Sequence, residues 1–239
     1  MTMRINRYIA SSGLCSRRQA DQLIREGRVR VNGQPASAGM SVEDGDRVTV
    51  DGQAVFPPPT DSRVVLAFNK PRGITSTSDP ARQDNIIAYI NYPRRIFTVG
   101  RLDRDSRGLI LLTDDGDLAH RIMHSRFGHE KEYKVTLERG ISEEFLQSIQ
   151  AGVRILGRTT NPCKAWQTGE REFHIVLNQG LNRQIRRMTE ALGYRVVDLV
   201  RVRIMNITLG SLPEGSYREL TFKEKRDLTE LLEAKSVKD

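Results

Sequence analysis

GRLDRDSRGLILLT, residues 100–113, joins a charged turn to a continuous apolar run. A second apolar run, residues 96–99, ends immediately before the turn. Short apolar runs bounded by turn residues are typical of buried strands. The residues between the two runs are fewer than the dozen or so that a parallel crossover needs. We therefore expect two antiparallel strands, with a carboxylate-bearing turn at the end of the sheet.

The rest of the chain after residue 63 continues this mixture of strands and helices. Apolar or alternating runs predict further strands at residues 64–68, 131–137, 172–177 and 204–209. Helical periodicity predicts helices at residues 116–125, 142–151 and 182–192, and the capping box Thr221-Phe222-Lys223-Glu224 opens a last one. Several strands follow one another directly, so the fold class is α+β, with a mixed, mainly antiparallel sheet flanked by helices.

A small helical and β domain is predicted before this sheet. Ile5, Tyr8 and Ile9 recur at helical spacing. Ser16 followed by Gln19 is a capping box for a second helix, which buries Ala20, Leu23 and Ile24 and stops at Gly27. Strands are expected at residues 29–31 and 47–50, with Asn32-Gly33 as a turn. Three consecutive prolines then favour an extended connector, which divides the chain into residues 1–56, a linker at 57–62, and residues 63–239.

The charge distribution indicates a polyanionic partner. Lys and Arg total 38 against 30 acidic residues, a net charge of +8, and phosphate binding by counterion release suits such an excess. Residues 31–61 carry only Arg47 against five acids. The first 30 residues carry seven arginines against two acids: Arg4, Arg7, Arg17, Arg18, Arg25, Arg28 and Arg30. Because arginine binds phosphates and stacks on bases, this favours a nucleic-acid-binding face over a merely solvated one.

Several classes of protein are disfavoured. No apolar stretch approaches the roughly 20 residues of a membrane span, and no signal-peptide core is present, so a cytoplasmic protein without a membrane partner is expected. Cys15 and Cys163 form no CxxC pair, which disfavours a disulfide framework. Glycine-rich nucleotide loops and the GxSxG elbow are missing. His120 and His124 lack an obvious third ligand, so neither a metal nor a cofactor is predicted.

Asp103 is the leading candidate for a catalytic group. It should stand at a strand end between Arg101 and Arg104, whose charges favour the ionised carboxylate that a nucleophile or general base requires. The alternative is an ordinary turn or capping aspartate neutralised by its neighbours, and such residues are common.

A second polar cluster lies in GLNRQIRRM, residues 180–188. Asn182 is a suitable N-cap, and helical spacing would put Arg183, Arg186 and Arg187 on one face, where they suit phosphates or a catalytic carboxylate. A solvated basic face is the alternative. Tyr133, at the end of EKEY in a predicted strand, is interpreted either as packing or as a base-stacking residue.

At these positions the sequence resembles the pseudouridine synthases that modify ribosomal RNA. The motifs KPRG (70–73), GRLD with GLILLT and DDG (100–116), EKEY (130–133) and GLNRQIRRM occur in the family's order. Residues before the proline linker resemble an S4 domain, a small RNA-binding module. Finer features are similar to the branch that acts on large-subunit ribosomal RNA: HEKEY (129–133), ILG followed by CK (155–164), and RVRIMN (201–206).

This resemblance implies the roles of individual residues. Asp103 would attack the sugar or remove its 2′ proton, Tyr133 would stack on the flipped base and take the proton from carbon 5, and Arg186 would pair with Asp103. Leu102 and Ile185 would line an apolar pocket, while Asp105 is expected to point away. Neither a metal nor a cofactor is needed. The residues predicted to bind RNA are Arg101, Leu102, Arg104, Asn182, Arg183, Arg187, Arg4, Arg17, Arg18, Arg25 and Arg28.

The expected protein is therefore a monomeric isomerase. Its substrate would be a stem-loop uridine of large-subunit ribosomal RNA, free or in an assembling subunit, with a transfer-RNA uridine as a second candidate. A non-enzymatic ribosome assembly or RNA-binding factor is the main alternative. A methyltransferase carrying the same small module is disfavoured by the missing glycine-rich cofactor loop.

Overall fold

A computed structural model of the chain describes residues 2–59, 62–79, 81–124 and 128–236. Two compact units are present. One consists of residues 1–64 with 92–96 and 114–116, and the other of residues 65–91, 97–113 and 117–239. Thr60 and Asp61 of the predicted linker, and Ser125 at the end of the predicted helix 116–125, lie outside the described residues.

The first unit is built from two short helices and small strands. Its elements are β1 (Met3–Arg4), α1 (Ile5–Ser11), α2 (Arg17–Arg25), β2 (Val29–Val31), β3 (Gln34–Pro35), β4 (Ser41–Val42), β5 (Val48–Val50) and β6 (Gln53–Ala54). Strands β3-β2-β5-β6 form an antiparallel sheet, and β1 pairs with β4. The two predicted helices and both predicted strands are confirmed.

Both hydrogen bonds of the predicted capping box at the start of α2 are present. Ser16 Oγ accepts from Gln19 N at 3.2 Å, and Gln19 Oε1 accepts from Ser16 N at 2.9 Å. The helix buries Ala20 and Ile24 against the strand valines, whereas Leu23, predicted to be buried, is only partly covered. Gly27 follows the helix with φ 71°, the left-handed conformation that ends helices.

The second part of the chain forms one large sheet with helices. Its elements are β7 (Val65–Lys70), α3 (Ile86–Ile90), β8 (Phe97–Val99), β9 (Arg107–Thr113), α4 (Gly116–Met123), β10 (Lys131–Leu137), α5 (Glu143–Ala151), β11 (Arg154–Ile155), β12 (Arg158–Thr159), β13 (Lys164–Gly169), β14 (Glu172–Leu177), α6 (Gln184–Ala191), β15 (Val196–Ile204), β16 (Ile207–Thr208), β17 (Tyr217–Glu219) and α7 (Phe222–Ser236).

The large sheet has the order β13-β14-β10-β15-β9-β7-β17, with β8 beside β9 and β16 beside β15. Among the described strands of this sheet, only β9 and β15 run parallel to each other. The predicted mixed, mainly antiparallel sheet is therefore confirmed. The antiparallel pairing of β8 with β9 puts the turn at residues 100–106 at one end of the sheet, as the sequence predicts.

Two apolar clusters hold helices against this sheet. In one, Leu109 and Leu111 pack with α4 and α7. In the other, Val135, Phe173 and Ile175 pack with α5 and α6. Alternate strand residues point to opposite faces, so β15 contributes Ile204 to the first cluster and Leu199 to the second.

The predicted strand at residues 204–209 is wrong in its bounds. The strand is β15, and the chain turns after it, with Met205 at φ 51°, before the short β16. Because charged residues interrupt β15, its hydrophobicity pattern does not indicate a strand. They are accommodated by specific partners: Asp198 accepts from Arg72 and Arg107, and Arg201 Nε donates to the Leu109 carbonyl at 2.7 Å.

The capping box at the start of α7 leads to a testable stability prediction. Glu224 accepts from Thr221 N at 2.8 Å and from both terminal nitrogens of Arg218 at 2.7 and 2.8 Å. Arg218 lowers the pKa of the Glu224 carboxyl to about 2, against the opposing effect of burial. A lowered pKa stabilises the fold above the unfolded value of about 4.5, and this contribution is lost as the pH falls toward about 2.

Glu224→Gln is expected to lower the free energy of unfolding by about 1–3 kcal/mol near pH 7. The variant should also lose less stability than the original protein between about pH 5 and about pH 3, because its side chain cannot be protonated. Urea unfolding across this range measures both effects. Glu230→Gln removes an exposed carboxylate on the same helix and serves as the control, and equal losses in the two variants would contradict the prediction.

Candidate active site

The loop that carries Asp103 is fixed through its backbone. On one side of Asp103, Ser76 Oγ donates to the Leu102 carbonyl at 2.9 Å and accepts from Leu102 N at 3.1 Å. On the other side, Gly73 N donates to the Arg104 carbonyl at 2.8 Å, and Ser106 N donates to the Asp103 carbonyl at 3.1 Å. Leu102 and Ser76 are both buried. The loop therefore holds Asp103 in one backbone position without using its carboxylate.

The Asp103 carboxylate is only loosely paired. Its side chain is 34% exposed, and its one ion pair among the described residues is a 3.8 Å contact with Arg183 Nη1. A carboxylate oxygen on a fixed loop, with few competing hydrogen bonds, is available to a substrate. This geometry favours the catalytic interpretation of Asp103 over that of a turn or capping residue.

Asp105 does not point away, so that expectation is wrong. Arg183 forms a bidentate ion pair with the Asp105 carboxylate: Nη1 donates to Oδ1 at 3.0 Å, and Nη2 donates to Oδ2 at 3.1 Å. Arg186 Nε lies 3.4 Å from Oδ2, and Arg186 Nη2 donates to the Asp105 carbonyl at 3.1 Å. Burial raises the pKa of the Asp105 carboxyl, but the bond from Arg183 and the charges of both arginines outweigh it and lower the pKa.

The expected pairing of Arg186 with Asp103 is therefore replaced by pairing with Asp105. Arg186 also lies against Ser106 Oγ and the Val196 carbonyl, each at 3.4 Å. The Arg186 guanidinium links α6 to the loop that carries Asp103 and to β15. Burial lowers the pKa of the Arg186 guanidinium, and the charge of Asp105 opposes that shift.

The predicted helical array of three arginines is also wrong. Arg183 is not helical: it precedes α6 in the left-handed conformation, φ 50°, and caps it without a side-chain hydrogen bond. Asn182, predicted as the N-cap, instead accepts from Arg187, whose Nη2 lies 3.2 Å from its Oδ1. Because the helix begins after Arg183, the three arginines do not share one helix face. Arg183 and Arg186 contact Asp105 of the loop, whereas Arg187 bonds to Asn182.

Tyr133 and Arg201 face each other across neighbouring strands. They are paired in the register of β10 with β15, and the Arg201 guanidinium carbon lies 6.0 Å from the Tyr133 ring centroid. Arg201 is 2% exposed. Its Nη1 also donates to the carbonyl of Arg101, in the loop that carries Asp103, at 3.4 Å. Tyr133 is half-buried against the cluster that contains Ile185. Arg201 thus connects the aromatic side chain to the loop.

Lys70 lies beneath the site and was not predicted to contribute. It is fully buried, and its Nζ donates to the carbonyls of Pro71 and Ile74, each at 2.8 Å. Burial lowers the pKa of its ammonium group to about 8, against the opposing charge of Asp105. Lys70 opens the KPRG motif at residues 70–73, but the motif alone does not indicate that its ammonium group is buried. Its bonds close the turn whose Gly73 supports the catalytic loop.

Asp198 anchors the other side of the same turn. Arg107 donates to it through Nη2 at 2.6 Å, and Arg72 through Nη2 at 2.5 Å. Burial raises the pKa of the Asp198 carboxyl, but these two arginines outweigh it and lower the pKa. Asp198 joins β15 to the turn and to the start of β9, so it fixes the C-terminal end of the loop that carries Asp103.

The remaining predicted RNA-binding residues lie at several places. Arg101 is exposed beside Asp103, whereas Arg104 binds Asp84 at 2.9 Å. In the first unit, described by itself, all five predicted arginines are exposed: Arg4, Arg17, Arg18, Arg25 and Arg28. Arg28 is held by two carboxylates, Asp51 at 2.6 Å and Glu26 at 3.2 Å.

The described residues form neither a metal-binding cluster nor a membrane-spanning helix. Among residues 2–59, 62–79, 81–124 and 128–236, no group of three His, Cys, Asp or Glu side chains is placed to hold a metal ion. The rings of His120 and His124 contact each other edge-on, with centroids 5.1 Å apart. Within those same ranges no helix has the length and apolar character to cross a membrane.

Two family models match the chain. Residues 64–191 match RNA pseudouridylate synthase, and residues 3–48 match the S4 domain. The Escherichia coli (strain K12) protein named dual-specificity RNA pseudouridine synthase RluF is 48% identical over 98% of this chain and 81% of its own length. Ribosomal large subunit pseudouridine synthase B of Bacillus subtilis is 34% identical, covering 95% and 96% of the two chains.

A solved structure is similar over nearly the whole length. The crystal structure described as a pseudouridylate synthase is 31% identical, with a TM-score of 0.69, and the match covers 95% of this chain and 99% of the other. The sequence resemblance and the S4 assignment are thus confirmed by independent comparisons of sequence and of fold.

Proposed function

The chain belongs to the RNA pseudouridylate synthases, and on that premise we propose that it converts a specific uridine of large-subunit ribosomal RNA to pseudouridine. As a member of this family it is an isomerase that acts on RNA. The observation that carries the proposal is the 48% identity with RluF over 98% of the chain. The target uridine is proposed to lie in a stem-loop, free or in an assembling subunit. The enzyme is proposed to act as a cytoplasmic monomer.

The proposed reaction uses one carboxylate. Asp103 either attacks carbon 1′ of the ribose or removes the 2′ proton, and the bond from carbon 1′ to nitrogen 1 of uracil breaks. The uracil rotates and carbon 5 bonds to carbon 1′. In the first route this step breaks the bond between Asp103 and carbon 1′, and in the second route the removed proton returns to carbon 2′. A proton then leaves carbon 5, and nitrogen 1 gains one. Atoms balance without a redox partner, so this chemistry requires neither a metal nor a cofactor. The loose pairing and exposure of Asp103 support its role.

The base must leave its stack before it can rotate. Extrusion costs a few kcal/mol, which stacking and cationic contacts offset. We propose that Tyr133 stacks on the flipped uracil and takes the proton from carbon 5. We propose that Leu102 and Ile185, both buried, exclude water beside it. In this proposal Arg186 and Arg183 hold the loop through Asp105, and Arg183 also lies 3.8 Å from the Asp103 carboxylate.

Tritium release tests the activity. Large-subunit ribosomal RNA labelled at carbon 5 of uracil should lose tritium with the protein present, because carbon 5 exchanges its proton for the sugar bond. No release from free RNA or precursor particles, with tight binding retained, would favour the non-enzymatic assembly factor. RluF is named a dual-specificity RNA pseudouridine synthase, so transfer RNA labelled in the same way is the second substrate to test.

We propose that the S4 domain supplies RNA affinity through its exposed arginines, Arg4, Arg17, Arg18, Arg25 and Arg28, within the boundary predicted at residue 56. Arg17→Glu combined with Arg18→Glu is expected to weaken RNA binding by about 10-fold or more and to flatten its salt dependence by about two in slope. Fluorescence anisotropy across a salt series measures both. Arg47→Glu, on the acid-rich half of the same unit, is the control. Unchanged affinity and slope in the double variant would refute this role.

A further inference from the structure

A small β-hairpin beside helix α6 has an unusual tip. Strands β11 and β12 are joined by Leu156 and Gly157, with φ 50° and φ 76°. Two-residue turns with both φ values positive favour Asn-Gly, because a larger side chain such as leucine is strained there. Leu156 is also 52% exposed, so burial does not explain it. A strained, exposed apolar residue at a loop tip indicates a functional contact.

Two arginines flank this leucine. Arg154 pairs with Thr159, and Ile155 pairs with Arg158, so Arg154 and Arg158 leave opposite faces of the two-stranded ribbon. Both are exposed, and neither forms an ion pair within the part of the chain that the structure describes. Cationic side chains on both faces of a ribbon suit a partner with phosphates on both sides.

The stem of the hairpin is anchored while its tip projects. Val153 N donates to Thr160 Oγ1, and Thr160 N donates to the Val153 carbonyl, each at 3.0 Å. Val153 and Ile155 pack in the same apolar cluster as Ile185 of α6. The helix that places Arg186 at the catalytic loop therefore also supports the hairpin.

We infer that hairpin 154–159 grips the substrate RNA next to the target uridine, with Arg154 and Arg158 on flanking phosphates and Leu156 against a sugar or base. This inference rests on the proposed function and deepens it, since it assigns a second RNA-binding element on the catalytic unit. Rigid apolar side chains that wedge against nucleotides help to hold distorted nucleic acid open. A leucine between two arginines combines such a wedge with charge complementarity to RNA.

The charge part is tested with Arg154→Ala combined with Arg158→Ala. Binding to a transcript of Escherichia coli large-subunit ribosomal RNA should weaken about 10-fold, and the salt slope should fall by about two. Arg154→Lys with Arg158→Lys should keep the original slope. The matched control, Arg171→Ala with Lys223→Ala, removes two exposed cations elsewhere on the second unit and should change affinity less than 2-fold. Equal effects in the two alanine pairs would overturn the inference.

The wedge is tested with Leu156→Gly. Removing the side chain should lower the single-turnover rate on the same transcript about 10-fold, at unchanged salt slope. The unfolding temperature should stay equal or rise, since glycine adopts this φ freely. An unchanged rate would overturn the role of Leu156. Hairpin-dependent binding without any pseudouridine would refute the proposed reaction alone, whereas pseudouridine formation that ignores all hairpin variants would refute this inference alone.

Discussion

Asp103→Asn is expected to abolish pseudouridine formation, with a loss of at least about 10³-fold in the rate of tritium release. The substitution keeps the size of the side chain but removes the charge and the basicity that either proposed role needs. The loop should not move, because its hydrogen bonds to Ser76 and Gly73 involve only backbone atoms of the neighbouring residues. RNA affinity should stay within about 2-fold, since the carboxylate adds no favourable phosphate contact.

The control for this experiment is Asp79→Asn. Asp79 is an exposed loop carboxylate whose Oδ1 accepts from Ala81 N, and it lies outside the catalytic loop. Its variant should release tritium at the rate of the original protein. Asp103→Asn with a rate within 10-fold of the original would contradict the assignment of Asp103 as the catalytic group.

Gly108→Ala is expected to cost about 4 kcal/mol or more of stability, enough to leave much of a marginally stable protein unfolded. Gly108 opens the apolar run of β9 with φ 102°, a conformation that strains any L side chain. A Cβ there would lie 2.4 Å from the Arg201 carbonyl oxygen and 2.8 Å from Arg201 N. Both contacts are with backbone of the neighbouring strand β15, so no side chain can rotate to relieve them.

Gly100→Ala is the matched control, because it separates strain from collision. Gly100 has φ 78° at the start of the loop that leads into β9, but a Cβ there would meet nothing within 4 Å. Only the backbone strain remains, so the expected cost is about 1 kcal/mol. Urea unfolding and the soluble yield compare the two variants. Similar losses of stability in both would show that the close approach of β9 to β15 is not what requires glycine at residue 108.

The local structure of the chain followed from nearby residues. The capping boxes at Ser16 and Thr221 form as predicted because their partners lie three residues apart and need no other part of the fold. Strand β10 has the predicted bounds, and the turn with Asp103 lies between two strands as its apolar flanks predict. The order of the motifs then pointed to the family, which the comparisons confirm. By contrast, α3 and β13 were not predicted. Helix α3 is short, and strand β13 is mostly polar and exposed.

Only the tertiary structure decided which charged groups meet around Asp103. Asp105 and Arg183 are 78 residues apart, and their pairing depends on the left-handed backbone of Arg183, which helical spacing cannot foresee. Arg201 and Lys70 are buried cations whose partners are carbonyl oxygens, a kind of partner that every residue offers and that leaves no mark in a sequence. The sequence by itself therefore determined most of the elements, the family and the candidate carboxylate. The fold selected the partners, because long-range ion pairs depend on how the strands and helices pack.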